Sequence, residues 1–328
     1  MDLQKLLNSL TLEEKLGQLF QPHTRMIIKT AAELTGPDKQ FGITKEDIYR
    51  SGSVLSFNGA KEMIAAQKSY IENSEKKIPL LFMQNVVNGQ KTIYPIPLGM
   101  GASFDPDLLK ECCEMAARES IASGVHVTFA PMLDLVRDAR WGRVMESTGE
   151  DPYLNSVLAK SFTDGFHKKY KGQGVAVCIK HFAAYGAVEA GRDYNCVDMS
   201  ERSLREYYLP AYKASIDAGA EMVMSAFNTI NGIPATANSW LLNDILRDEY
   251  KFDGVLISDY NAIGELIEHG YCENEKDAAE KAIGCGVDIE MMSVTYLKYA
   301  KELLEEGKIT IEQIDRMVMR VLKLKEKL

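Results

Sequence analysis

The residues of this chain best suited to chemistry are a strand-end carboxylate, Asp259, and a vicinal pair, Lys180-His181. Asp259 follows the run Asp253-Gly254-Val255-Leu256-Ile257-Ser258, whose apolar residues read as a buried parallel strand. A carboxylate at the C-terminal end of such a strand lies where repeating strand–helix proteins do their chemistry. Lys180-His181 closes another apolar run, Val175–Ile179. Adjacent strand residues point to opposite sides, so both are expected to be polar only where the strand runs out into a loop. Two donors that can carry positive charge suit a ligand rich in hydroxyl groups, and they help keep a nearby carboxylate ionised. The alternative is a salt-bridged pair that simply closes a strand. No second histidine lies at ligand spacing among the five, so no metal site is expected.

A charged loop runs from Asp134 through Arg137-Asp138-Ala139-Arg140-Trp141-Gly142-Arg143 to Glu146 and Glu150-Asp151-Pro152. It reads either as a solvated turn with local ion pairs or as arginines around an indole platform that hold an acidic group or sugar hydroxyls. No glycine-rich phosphate cradle precedes a helix, and no cofactor is expected.

The elements that must position these groups alternate along the chain. Strands are expected at Val54–Phe57, Leu80–Met83, Val127–Ala130, Val175–Ile179, Met222–Ala226, Val255–Ile257 and Val287–Met291, with Gln18-Leu19-Phe20 as a short eighth. Helices are expected between them, among them Asp107–Ala122, Ser200–Ala218, Trp240–Tyr250 and Glu275–Cys285, with cap signals at Ser200 and Asn238-Ser239. An amphipathic helix over Ile311–Leu328 closes the chain. This alternation, without a composition break, predicts an α/β fold and a single (β/α)8 TIM-like barrel with a short or irregular first strand. Polar residues follow nearly every run: Gln84-Asn85, Asp134, Lys180-His181, Phe227-Asn228, Asp259-Tyr260 and Asp288-Ile289-Glu290. They are expected to converge on one face. Gly186, Gly191 and Gly232 read as ordinary turn glycines.

The chain has 328 residues, 46% hydrophobic and 26% charged, with a net charge of −9. That balance fits an ordinary globular protein and argues against a nucleic-acid partner. No run reaches membrane-spanning length, and Met1-Asp2-Leu3-Gln4-Lys5 does not open a signal peptide, so a cytoplasmic protein is expected unless a leader has been removed. None of the six cysteines forms a Cys-x-x-Cys pair, and reduced, mostly buried thiols are expected.

Several long motifs narrow this reading. They are Pro95-Ile96-Pro97-Leu98-Gly99-Met100-Gly101-Ala102-Ser103-Phe104-Asp105, Asp138-Ala139-Arg140-Trp141-Gly142-Arg143 with Gly149-Glu150-Asp151-Pro152, and Lys180-His181-Phe182-Ala183-Ala184-Tyr185-Gly186. Asn231-Gly232-Ile233-Pro234-Ala235-Thr236-Ala237-Asn238 and Ser258-Asp259-Tyr260 complete them. With these the chain resembles, over residues 1–328, the N-terminal barrel domain of glycoside hydrolase family 3, of β-glucosidase type.

The resemblance implies a retaining β-glycosidase in which Asp259 is the nucleophile that attacks the anomeric carbon. It implies that Asn85, Arg143, Lys180 and His181 bind sugar hydroxyls, that Tyr260 stacks near the leaving group, and that Phe227 forms a nearby wall. Met224, Met291 and Glu290 are lining candidates. The family's usual Asp-x-x-His-Gly stands here as Asn85-Val86-Val87-Asn88-Gly89, which predicts a weaker grip on the sugar or a different preference.

The chain ends where the family's second, α/β sandwich domain begins, so that domain and its acid/base glutamate are expected to be absent. The catalytic loop histidine of the family's single-domain N-acetylglucosaminidases is not present in Lys180-His181-Phe182-Ala183-Ala184-Tyr185. Glu146, Glu150 and Glu189 are candidates by charge alone. The competing readings are a catalytically silent or impaired sugar-binding barrel and, less favoured, a Schiff-base barrel using Lys180. A carbohydrate is the expected partner. A homodimer or a separate second-domain partner is the expected association, since exposed apolar surface favours it. Gln21–Gly42 matches no pattern.

Overall fold

A computed structural model describes residues 2–28, 43–57 and 59–328. Residues 29–42 of the unmatched segment, and Asn58, lie outside the described residues. The chain forms two compact units, one of Met1–Gln84 with Val255–Lys327, the other of Asn85–Gly254 with Leu328.

In the first unit the strands are short and buried. Phe20–Gln21 pairs in parallel with Glu290–Met291, Ser53–Leu55 pairs in parallel with Leu81–Gln84, and Ile257 of Val255–Ile257 bridges Ile289. The short first strand is displaced from its expected place. Gln18 closes the helix Leu12–Gln18, and pairing begins at Phe20. That helix starts at a capping box in which Thr11 and Glu14 satisfy each other's backbone N–H, and Asn274 caps Glu275–Gly284.

The closing helix, Ile311–Lys327, buries Ile314, Met317, Val318, Val321, Leu322 and Leu324. It packs on Leu3–Asn8, Leu12–Gln18 and the Val255–Ile257 strand. A polar bolt crosses this interface. Arg320 Nη1 donates to Asp288 Oδ1 at 3.0 Å, and Asp288 Oδ2 accepts from the Leu256 N–H at 2.7 Å. Asp288 is fully buried.

In the second unit Val127–Thr128, Ala176–Phe182 and Met222–Ser225 pair side by side in parallel. The helices Pro106–Ser123 and Pro152–Phe166 each carry an aspartate cap, Asp105 and Asp151, followed by a proline whose missing N–H costs nothing there. The two approach closely because Gly165 faces Cys113; a Cβ on Gly165 would lie 2.5 Å from Cys113 Cβ. The helix expected over Ser200–Ala218 is broken. Pro210 cannot donate an N–H and its ring disrupts the preceding turn, so Glu201–Ser203, a widened turn at Leu204–Tyr208 and Pro210–Asp217 replace it. Thr229–Ile230 and Ile233–Pro234 form an antiparallel hairpin that the sequence reading did not include. Its turn is Asn231-Gly232, both at positive φ, the residue pair such turns favour.

Each unit is α/β, with its partial sheets paired in parallel apart from this hairpin. No disulfide forms among the described residues; Cys113, Cys178, Cys272 and Cys285 are buried and Cys196 is exposed.

The polar bolt is testable. Arg320→Ala leaves a fully buried carboxylate without its guanidinium, and urea denaturation should show a loss of about 3 kcal/mol. A loss within about 0.5 kcal/mol, the range of ordinary surface substitutions, would show the pair to be dispensable.

Candidate active site

The second unit links five of the proposed binding residues in a chain of contacts anchored on one buried carboxylate. Asp134, which follows the Val127–Ala130 run, accepts from four donors: the His181 backbone N–H at 3.0 Å, His181 Nδ1 at 2.8 Å, the Tyr185 N–H at 3.1 Å and the Tyr212 hydroxyl at 3.1 Å. The Tyr212 hydroxyl also lies against the His181 carbonyl oxygen. Burial pushes the Asp134 carboxyl up to about 6, against the pull of its donors and of the Arg143 charge. Its carboxylate orients the imidazole with Nδ1 as donor, which leaves Nε2 to accept from Arg143 Nη2 at 3.1 Å.

Arg143 in turn clamps Glu146, donating from Nε at 2.8 Å and from Nη2 at 3.2 Å. Lys180 donates to Asn85 Oδ1 at 2.8 Å and lies 3.7 Å from Glu146 Oε2. Burial would raise the Glu146 carboxyl, but the hydrogen bond from Arg143 and the charges of Lys180 and Arg143 outweigh it. The group therefore lies below the usual carboxylate range. A carboxyl so held is a poor proton donor.

Lys180 and His181 do not lie past the strand end as expected. They sit inside Ala176–Phe182, where pairing with Met222–Ser225 slips between Ile179 and Phe182. Such a bulge re-aims side chains, and both are buried with polar partners. Beside His181 lies an aromatic cluster. Tyr185 stands edge-on to His181 at 5.4 Å and to Trp141 at 5.1 Å, Arg143 lies over the Tyr185 ring at 5.7 Å, and Phe227 follows at 5.9 Å. Trp141 is not the sugar platform the loop suggested. Its ring is 1% exposed and its Nε1 donates to Asp193 at 2.8 Å.

Asp259 and Tyr260 belong to the first unit. Asp259 follows the Val255–Ile257 strand, is 9% exposed, and its Oδ1 accepts from the Tyr260 N–H at 2.7 Å. Tyr260 is 40% exposed. Within the same unit, half-buried Glu265 opens the short helix Glu265–Glu268. Burial, then the negative charges of Asp259 and Glu268, push its carboxyl up to about 7. No motif signalled this residue.

Glu290 does not line a pocket. Its Oε2 accepts from the Ser293 hydroxyl and from the Thr295 N–H and hydroxyl, and its Oε1 from the Tyr296 N–H, so it caps the helix Thr295–Glu305. Met224 and Met291 are core residues, each 3% exposed. Glu150 and Glu189 are exposed. Among the described residues no group of three or more His, Cys, Asp or Glu side chains is arranged to hold a metal ion.

Residues 11–324 match the family model described as the glycosyl hydrolase family 3 N terminal domain. The chain belongs to this family. It is 40% identical over 324 residues to the periplasmic beta-glucosidase of Salmonella typhimurium, a match spanning 98% of this chain and 41% of that protein. A beta-xylosidase of Formosa agariphila is 36% identical over 254 residues, 73% of this chain and 35% of its own. Among solved structures, the Listeria innocua beta-glucosidase in complex with glucose superimposes with a TM-score of 0.96 at 49% identity, over 99% of this chain and 46% of that one. The chain thus spans less than half the length of these relatives.

This family 3 domain carries two predictions, one in each unit. His181 should be found as the Nδ1–H tautomer by long-range proton–nitrogen correlation, and an Nε2–H signal would contradict the Asp134 contact. The second concerns Glu265, whose folded carboxyl titrates near 7, above its usual value. The folded state then binds more protons than the unfolded chain between these values, so the stability from this group is complete at low pH and lost as pH rises through about 7. Relative to Glu265→Gln, the wild type should therefore lose Tm between about pH 5 and pH 8 and converge with it below that range. A difference independent of pH would contradict the shift.

Proposed function

We propose that this chain is the nucleophile-bearing domain of a retaining β-glycosidase acting on β-D-glucosides or related β-glycosides. The observation that carries the reading is the hydrogen-bonded array of Arg143, Lys180 and His181, with Asn85 and Glu146, in a family 3 domain. Directional donors of fixed geometry suit the several hydroxyls of one sugar ring. In this proposal Asn85, Arg143, Lys180 and His181 hold those hydroxyls, and Phe227 and Tyr260 form apolar walls. Asp259 attacks the anomeric carbon to form a glycosyl ester, which water then cleaves. The partial parallel sheets are proposed to close into one (β/α)8 barrel spanning residues 1–328. The proton donor is supplied from outside this array, because Glu146 is held ionised.

A second reading, a sugar-binding domain without turnover, is favoured by that same engagement of Glu146. A carbohydrate is the partner in both readings, and a homodimer or a separate second-domain partner remains part of the proposal. No helix among the described residues is long and apolar enough to cross a membrane. The periplasmic name of the Salmonella relative lends no support to a cytoplasmic location.

The test uses an activated 2-deoxy-2-fluoro-β-D-glucoside, whose leaving group needs little acid assistance. The wild type should acquire a covalent fluoroglucosyl group on the peptide containing Asp259, and Asp259→Ala should not. Glucose binding by calorimetry without any adduct would decide for the second reading.

A further inference from the structure

The aromatic cluster beside His181 does not end at Phe227. Tyr194 lies against it, its ring 4.6 Å from Phe227 and 6.4 Å from Tyr185, and this ring is half exposed, at 50%, where Phe227 and Tyr185 are buried. It is one ring away from the Arg143–His181 pair, since Tyr185 touches both.

Its backbone is held in a conformation that tyrosine rarely adopts. Tyr194 has φ +64°, the left-handed region, which is unusual for a bulky residue. Two contacts enforce it. The Tyr194 N–H donates to the Tyr185 hydroxyl at 3.2 Å, and the neighbouring Asp193 carboxylate accepts from Trp141 Nε1 at 2.8 Å. The partners of this clamp, Trp141 and Tyr185, are 1% exposed or less. An exposed tyrosine that served only to fill a turn would gain nothing over glycine at this φ. Strain kept in place by surrounding structure points to a use for the side chain.

We propose that Tyr194 is a specificity-determining residue: a fixed aromatic platform for the leaving-group ring, an aryl group or a second pyranose, of a glycoside whose sugar is held by Arg143, Lys180 and His181. The proposal rests on the glycosidase reading of that array. The apolar face of a pyranose or phenyl ring matches the face of a tyrosine whose orientation is already set, so little side-chain freedom is lost on binding. Tyr194 touches the ligand beyond the bond to be cleaved. It therefore discriminates between aglycones and leaves the hold on the sugar unchanged.

The test compares glucose with phenyl β-D-glucoside by calorimetry on the wild type, Tyr194→Gly and Tyr194→Phe, with Tm recorded for each. Glycine accepts the left-handed φ, so Tyr194→Gly removes the ring without straining the turn, and its Tm should fall only by the packing lost against Phe227. Tyr194→Gly should bind phenyl β-D-glucoside about 3- to 10-fold more weakly and glucose within about twofold of the wild type, while Tyr194→Phe matches the wild type for both. Equal weakening for both ligands, or no weakening for either, overturns the platform. A wild type that binds neither ligand overturns the sugar-site reading itself, and the platform with it.

Discussion

The second unit is organised around a carboxylate removed from water. Desolvating an ion costs several kcal/mol, and Asp134 is stable there only because its oxygens meet donors on every side. Those donors come from the strand residue His181, from Tyr185 just beyond the strand, and from Tyr212 on the helix Pro210–Asp217. The Asp134 carbonyl also accepts from the Ser147 hydroxyl at 2.7 Å, which ties down the far end of the charged loop. One residue thus ties together a strand, a loop and a helix. It also fixes which nitrogen of His181 faces Arg143.

From that point the polar residues form a relay of dependence rather than a set of independent ligands. His181 orients Arg143, Arg143 fixes Glu146, and Glu146 faces the Lys180 ammonium, which reaches Asn85. Preorganised donors of this kind are worth more in a partly dry site than mobile ones in water. The neutral Asn85 alters the balance. An aspartate in its place would share the Lys180 charge with Glu146, whereas an amide accepts only a dipolar bond. The array therefore holds its donors in fixed directions and keeps the Glu146 carboxyl below the usual carboxylate range. In the proposed reading it binds and orients a sugar and does not protonate it.

Asn85, Lys180 and His181 are legible in the sequence because they stand at or near strand ends, where polar residues interrupt apolar runs. Asp134 was visible as one such residue, but its role depends on contacts with residues 47, 51 and 78 positions away, which no local pattern encodes. Trp141 misled because a tryptophan between arginines looks the same whether its ring faces solvent or Tyr185; burial decided it. Lys180 and His181 were placed beyond their strand because period-two alternation forbids two adjacent buried polar residues, and only a bulge resolves the conflict. The Asn231-Gly232 hairpin carried a clear turn signal that was absorbed into a longer motif. The helix break at Pro210 was readable from proline chemistry alone.

The two carboxyls of the first unit complete the electrostatic logic. Asp259 follows a buried strand, and its charge acts on Glu265. Burial first, and then Asp259, push the Glu265 carboxyl up to about 7. Glu290, more deeply buried, meets four donors at a helix N-terminus, yet burial outweighs them and pushes its carboxyl up to about 8. The three acids of one unit thus differ in surroundings: one follows a strand, one is half-buried near it, and one caps a helix. The sequence lists them as equivalent. What separates their chemistry is how much water each has lost and how many donors replace it.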